Sequence, residues 1–184
     1  MTCSCLRLGI GVVFLSLLFA GTNRVAASPA NREMPRKSAP CAAREYRQFD
    51  FWAGDWDAFD VDKPSIKVAR LRVNLILDGC VLLEDYRDKD GSEGESFTIY
   101  DASRKIWHQT WVTNRDKLLV IEGDIHNGEM VLSGVDRLAG GKSQRVRGIW
   151  KPVKGGVRET AATSTDEGKT WKPWFDLLFR PHRP

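Results

Sequence analysis

The chain has 184 residues, a length that fits one domain with a core large enough to be stable on its own. Its formal net charge is +4, but the excess lies at Arg7, at Arg24 and in the basic segment 28–40, so the rest of the chain is close to neutral. A neutral body argues against a nucleic-acid-binding protein, which needs clustered Lys and Arg.

The first 27 residues have the pattern of a secretory signal peptide. Arg7 supplies a short positive region, the run Leu8 to Ala20 is apolar, and Val25-Ala26-Ala27 offers small residues for cleavage. The alternative is a membrane anchor, but the apolar run is shorter than the roughly 20 residues that a spanning helix needs. We therefore predict a periplasmic or extracellular protein with no membrane span after cleavage.

Residues 28–40 are rich in Pro, Ala, Ser and Arg and are expected to form a flexible lead-in to one domain at 41–184. Loss of the signal peptide leaves Cys41 and Cys80 as the remaining cysteines of the chain. In an oxidising compartment we expect them to form a disulfide, the alternative being two separate buried thiols.

The domain opens with a segment of helical spacing, in which Tyr46, Phe49 and Trp52 recur on one side of residues 42–52. After Gly54 the apolar period changes to two, which indicates strands with one buried face. Turn residues such as Asn127-Gly128 separate the alternating runs. These runs are 66–78, 81–87, 96–100, 106–112, 118–125, 130–138, 145–152, 157–163 and 170–180.

The connections between these runs are short, so no parallel crossover helix fits between any two of them. We therefore predict an all-β fold, a single antiparallel up-and-down barrel of about ten strands with a short N-terminal helix. Closure of the sheet into a barrel removes exposed strand edges. A sandwich of two sheets is the alternative, and we expect the protein to be a monomer.

The motif Gly54-x-Trp56 resembles the first-strand motif of the calycin barrels, which include lipocalins and fatty-acid-binding proteins. In that family the glycine lets the chain turn tightly into the barrel. The tryptophan closes one end and packs beneath an arginine from the last strand. The resemblance implies this role for Arg180, which would place its guanidinium over the indole face of Trp56.

The body of the chain is also similar to a family of bacterial secreted proteins, for which the resemblance implies a lipocalin-like barrel but no activity. Members tend to have Arg-Gln and then an aromatic residue where this chain has Arg158-Glu159-Thr160, so it departs from the pattern on that strand. The segments that carry the resemblance are 49–57, with the sequence F-D-F-W-A-G-D-W-D, and 76–80, 100–101, 107–112, 157–159, 168–171 and 175–176.

Residues Ser164 to Trp171 fit the pattern S-x-D-x-G-x-T-W, the Asp-box of sialidase propellers. Propellers repeat this motif, and the chain has one copy and too few strands for several blades. We interpret it as a turn in which Asp166 accepts backbone N–H bonds, Gly168 takes a positive φ and Trp171 packs beneath.

The segment 107–111 is the richest aromatic cluster. On a strand, Trp107, Gln109 and Trp111 share one face and His108 lies on the other. If the tryptophans face the lumen, Gln109 is a polar group among aromatics, as in ligand pockets. If they face outward, His108 points inward and could bind a haem iron or a ligand anion. Ordinary packing, with His108 hydrogen-bonded to a neighbour, is the simpler alternative.

Other charged and aromatic residues alternate with apolar positions and are further lumen candidates, the alternative being that most of them face solvent. Charged groups inside a barrel must be paired or hydrated, and a Glu–Arg pair would anchor a polar head group. These candidates are Glu84, Tyr86, Tyr100, Arg147, Trp150, Arg158 and Glu159.

No complete catalytic set is visible, since Ser and Cys lack a nucleophile setting and the chain lacks metal-ligand spacing and a phosphate-binding loop. We expect no cofactor and no metal, and predict a barrel that binds a small apolar or amphipathic molecule. The alternatives are a filled barrel that acts through its loops, and an enzyme that uses a lumen carboxylate or His108.

Overall fold

The computed structural model describes residues 39–183, so the predicted signal peptide and almost all of the predicted lead-in lie outside the described residues. Ten antiparallel strands form a closed barrel in which each strand pairs with its neighbours in sequence and β1 pairs with β10. This confirms the all-β up-and-down barrel and excludes the two-sheet sandwich. The strands are β1 (Gly54–Asp60), β2 (Lys67–Ile76), β3 (Val81–Asp88), β4 (Glu93–Asp101), β5 (Ile106–Thr113), β6 (Leu118–His126), β7 (Glu129–Arg137), β8 (Ser143–Val153), β9 (Gly156–Ser164) and β10 (Lys172–Pro181).

The period-two pattern produces the two faces of the wall, because successive side chains of a strand point to opposite sides. On β4, Gly94, Ser96 and Thr98 are buried, whereas the residues between them are exposed. The buried face of every strand points into the barrel, and these inward side chains form the core together with Phe49 and Trp52. The phase of each strand therefore decides which side chains can reach the lumen.

The turn at Asn127-Gly128 shows how short hairpins close the wall. Both residues have positive φ values, 52° and 81°. A two-residue turn of this kind matches the right-handed twist of the paired strands, and Asn and Gly adopt it most readily. The predicted hairpin between β6 and β7 is confirmed.

The N-terminal segment closes one end of the barrel. It is helical, but as two short 3₁₀ helices, Arg44–Arg47 and Asp50–Trp52, separated near Phe49. Phe49 is fully buried and meets Trp107 and Trp150 edge-on, with ring centroids 5.8 and 5.6 Å apart. We call this end, built on the segment 44–52, the closed end.

A disulfide between Cys41 and Cys80 fastens this segment to the turn between β2 and β3, as predicted. The bridge closes a loop between residues 39 positions apart. Such a bond fits an oxidising, non-cytoplasmic compartment. Within the described part of the chain, no helix is long and apolar enough to cross a membrane.

Trp56 lies at the closed end as predicted, but the expected stacking of Arg180 on it is wrong. β1 and β10 pair with Asp57 opposite Arg180, so Arg180 is on the outer face and Trp56 on the inner face. The Arg180 guanidinium instead lies 4.6 Å from the ring centre of Phe59. Trp56 stacks on Trp52, with ring centroids 6.1 Å apart, and donates its indole N–H to the Trp52 carbonyl at 3.0 Å.

Gly54 has a packing role besides the tight turn implied by the resemblance, which stays a prediction. A Cβ atom on Gly54 would lie 2.5 Å from the ring of Trp56, so the glycine makes room for that indole.

The segment 164–171 forms the hairpin turn between β9 and β10. The Asp166 carboxylate accepts hydrogen bonds from the backbone N–H and the hydroxyl of Thr170, at 2.9 and 2.6 Å. Gly168 has a φ of 91°, and its carbonyl accepts the indole N–H of Trp171 at 3.0 Å. The predicted turn chemistry is thus present in a single copy within residues 39–183.

Candidate functional site

A cavity of about 630 Å³ lies inside the barrel, between the closed end and the opposite end of the wall. It reaches the surface at that opposite end, where its wall includes the half-exposed Trp174 and the exposed Arg115. The side chains that surround the interior space are mostly apolar. They include Leu119, Ile121, Val146, Ala161, Phe175, Leu177 and Phe179.

Six of the predicted lumen residues line this cavity: Glu84, Tyr86, Gln109, Trp111, Trp150 and Glu159. Trp111 packs edge-on against Tyr86, with ring centroids 5.7 Å apart. Gln109 is 4% exposed and donates its amide N–H groups to Thr98 at 3.0 Å and to Ser96 at 3.3 Å. Hydrogen bonds to two neighbouring hydroxyls fix the orientation of this amide.

Two further candidates belong to the closed end instead of the cavity wall. Trp107 is 2% exposed and donates its indole N–H to Gln48 at 3.2 Å. Tyr100 meets Tyr46 edge-on, with ring centroids 5.3 Å apart. Both side chains attach the N-terminal segment to the wall, which is a structural task.

His108 lies on the outer face of β5, since Trp107 and Trp111 face inward. Its Nδ1 atom is 2.7 Å from Glu122 and its Nε2 atom 2.9 Å from Thr110. Hydrogen bonds from Arg104 and His108 lower the pKa of Glu122 to about 2. The hypothesis of an inward His108 that binds haem or an anion is therefore wrong, and the histidine takes part in a surface ion-pair network.

Arg147 and Arg158 are also outside the lumen, so their prediction as lumen residues is wrong. The Arg147 guanidinium lies 4.3 Å from the ring centre of Trp171, on the outside of β8. Arg158 is exposed and donates its Nε–H to Asp176 at 2.8 Å. On β8 and β9 the inward phase belongs to Gly148, Trp150 and Ala161, which leaves the two arginines facing outward.

Glu84 on β3 points into the cavity and accepts a hydrogen bond from the Ser96 hydroxyl at 3.0 Å. Burial raises the pKa of Glu84 to about 7, since the ionised form loses its hydration. The hydroxyl of Ser96 and the nearby indole of Trp52 lower the pKa of Glu84, but by less than burial raises it. The Trp52 nitrogen does not reach a hydrogen bond of normal geometry with any described residue.

Glu159 on β9 is the second acid of the cavity wall. Burial raises its pKa well above the usual glutamate value, and the neighbouring charge of Glu84 raises it further. The indole of Trp150 acts to lower the pKa of Glu159, although its N–H forms no hydrogen bond of normal geometry within residues 39–183. The same environment raises the pKa of Tyr86 to about 12, through burial and the charges of Asp88, Glu159 and Glu84. The interior therefore favours neutral acids as long as nothing cationic is bound.

A recurring device, missed from the sequence, makes room for the large rings of the lumen. A Cβ atom on Gly148 would lie 2.8 Å from the ring of Trp150, and one on Gly94 would lie 2.4 Å from that of Trp111. Gly148-Ile149-Trp150 repeats the Gly-x-Trp spacing of the first strand, so this glycine–tryptophan contact could have been predicted from the sequence. The contact of Gly94 with the ring of Trp111 joins the neighbouring strands β4 and β5, so it depends on a register that cannot be read from the sequence.

The arrangement does not form a metal centre of the usual kind. Within the described residues there is no group of three or more His, Cys, Asp or Glu side chains that could hold a metal ion. No model of a known protein family matches the chain, and no curated protein matches it.

Proposed function

We propose that this protein binds a small amphipathic molecule inside its barrel. The observation that carries the proposal is the cavity of about 630 Å³, which is apolar over most of its wall and has a few oriented polar groups. Cavities of roughly 300–1,000 Å³ with this composition are typical of small-molecule sites. In this proposal the chain is a secreted, monomeric relative of the calycin barrels, in keeping with its motifs and its disulfide.

The cavity argues against the alternative of a filled barrel. In a filled barrel the inward side chains meet at the centre, as in protein interiors of ordinary packing density. Here Ala161 supplies a small inward side chain on β9, opposite Gly148 on β8, and both residues line the cavity. An empty apolar cavity of this size would forfeit packing contacts, whereas an occupied one would not.

Native mass spectrometry of protein purified from its own cell envelope tests the proposal. We expect a co-purified small molecule in the wild type and in Ala162→Phe, which adds a ring on the outer face of β9. Ala161→Phe adds the same ring inside the cavity, and we expect it to carry no ligand. Equal occupancy in both variants, or none in the wild type, would contradict lumen binding. N-terminal sequencing of the same sample tests cleavage after Ala27.

A second candidate function is acid–base catalysis by Glu84. A general acid or base works best when its pKa lies near the working pH, and burial raises the pKa of Glu84 to about 7. Glu159 is the second acid in the same cavity and has a higher affinity for its proton than an ordinary glutamate. Two coupled carboxyls of this kind are capable of proton transfer to and from a bound molecule.

Solvent deuterium exchange distinguishes catalysis from binding. The protein would be incubated in D₂O with a small-molecule extract of the cell envelope, and carbon-bound deuterium would be measured by mass spectrometry. Catalysis predicts incorporation with the wild type and its loss in Glu84→Gln. Incorporation that does not depend on added protein would leave binding as the function.

A further inference from the structure

The two glutamates of the cavity have no cation opposite them. β3 and β9 are four strands apart around the ring of ten, so Glu84 and Glu159 approach the lumen from different sides of the wall. Among residues 39–183, neither carboxyl forms a salt bridge. Glu84 accepts one side-chain hydrogen bond, from Ser96, and Glu159 accepts none of normal geometry from a described residue. Arg147 and Arg158 were predicted to pair with such carboxyls, but their side chains lie outside the barrel.

The remaining cations of the cavity wall are at its mouth and are already engaged. Lys117 pairs with the buried Asp136, and Arg115 donates to the backbone carbonyl of Asp90 at 3.3 Å. Buried carboxyls are normally paired or hydrogen-bonded, because loss of hydration is costly for the ionised form. The deep part of the cavity therefore has two carboxyls and no cation among the described residues.

Trp150 shows that the wall does not fully engage the carboxyl of Glu159. Its side chain is 4% exposed and lines the cavity, yet its indole N–H has no hydrogen-bond partner among the described residues. Buried indole N–H groups usually find an acceptor. The carboxyl of Glu159 is opposite Trp150 on the neighbouring strand. A bound cation that ionises this carboxyl would also make it a stronger acceptor for the indole N–H.

Aromatic rings complete the surroundings of the two carboxyls. Trp111, Trp150 and Tyr86 all line the same cavity. Ring faces attract cations, especially when water is excluded, and aromatic pockets with acids are well suited to ammonium groups. A metal ion would need more ligands than these two carboxyls supply, and no third His, Cys, Asp or Glu joins them within residues 39–183.

We propose that the ligand of this barrel is an organic amine with an apolar body, whose ammonium group is held between Glu84 and Glu159 and whose body lies against the apolar wall. This inference rests on the proposed function, since it names the chemical class of the lumen ligand. It also accounts for the raised pKa values, because a bound cation replaces the missing counter-charge and restores the ionised carboxyls.

Three probes with the same apolar tail and different head groups test the inference: octylamine, 1-octanol and octanoate. Binding to the full-length protein would be measured by isothermal titration calorimetry and tryptophan fluorescence at pH 8, in phosphate buffer free of amines. We expect octylamine to bind about 10- to 100-fold more tightly than octanol, as charge-assisted hydrogen bonds do. Octanoate is expected to bind more weakly than either.

Isosteric variants show whether the two carboxyls cause the preference. Glu84→Gln/Glu159→Gln is expected to remove the advantage of octylamine over octanol and leave octanol binding within about twofold. Glu95→Gln is the matched control, because Glu95 is exposed on the outer face of β4. Circular dichroism of each variant verifies that it is folded.

The outcomes separate the two proposals. Binding of octanol or octanoate as tight as that of octylamine, or an amine preference that survives in the double variant, overturns the amine inference and leaves lumen binding intact. Binding of none of the three probes to any variant contradicts the proposed function and the inference together. An amine preference lost in the double variant and kept in Glu95→Gln supports both.

Discussion

The carboxyl of Glu84 makes a sharp prediction about how stability depends on pH. Its pKa is about 7 in the folded protein and 4.5 in an unperturbed glutamate. The folded state therefore binds this proton more tightly than the unfolded chain does. Between about pH 4.5 and pH 7 the folded state carries more protons, so the free energy of unfolding falls as the pH rises through this window.

The magnitude follows from the two pKa values. One pKa unit corresponds to about 1.4 kcal/mol, so full ionisation of Glu84 destabilises the empty protein by about 3 kcal/mol. Water in the lumen lowers this figure, and we expect about 1 to 3 kcal/mol. Glu159 adds a penalty of the same sign, because its pKa is also raised.

Glu84→Gln isolates this effect, since the amide has nearly the same shape and does not ionise. Urea unfolding would be followed by tryptophan fluorescence on protein refolded to remove bound molecules. At pH 5 we expect the variant and the wild type to have similar free energies of unfolding. At pH 8 the variant should be more stable by about 1 to 3 kcal/mol.

Glu122 and Asp166 do not interfere in this window. The pKa values of Glu122 and Asp166 are lowered to about 2, so the stability that they contribute is lost only as the pH falls below about 4.5. Glu95→Gln changes an exposed glutamate and serves as the control. We expect its effect on the free energy of unfolding to be the same at both pH values. If Glu84→Gln alters the free energy of unfolding equally at pH 5 and pH 8, the carboxyl is hydrated in the folded state and our reasoning about the lumen fails.

Three further predictions concern the frame of the barrel. Replacement of Cys41 and Cys80 by Ala should lower the free energy of unfolding by roughly 3–4 kcal/mol, measured by urea unfolding against the oxidised wild type. Gly123→Ala would place a Cβ atom 1.9 Å from a backbone oxygen of β7, so we expect a loss of folded protein by circular dichroism. Lys117→Met leaves the buried Asp136 carboxylate without its cation and should cost about 3–5 kcal/mol, much of which Asp136→Asn should restore in the double variant.

The barrel could be predicted because its signals are local. The alternation on β2, where Ala69, Leu71 and Val73 are buried, comes directly from the sequence. The Asn127-Gly128 turn identifies a hairpin for the same reason, since its backbone conformation depends on those two residues. Short connections then permit few arrangements other than consecutive antiparallel pairing.

The orientation of the charged residues could not be predicted with equal success, because it depends on phase. On β9, Arg158 and Glu159 are adjacent in sequence and point to opposite faces, and the sequence alone is compatible with either of them in the lumen. On β10 the register shifts between Pro173 and Phe175, so a count of alternation from one end fails at the other. The stacking of Arg180 on Trp56 failed for this kind of reason, since pairing of β1 with β10 puts them on opposite sides.

The two acids of the cavity are the main argument that it has a function. By comparison, the buried carboxylate of Asp136 has a cation, Lys117, beside it. In the cavity, Glu84 and Glu159 are acids without a counter-charge among the described residues, and because their pKa values are raised, their ionisation lowers the stability of the folded state. Because glutamine would fill the same space without that penalty, the two carboxyls are best explained by a bound molecule that uses their charge.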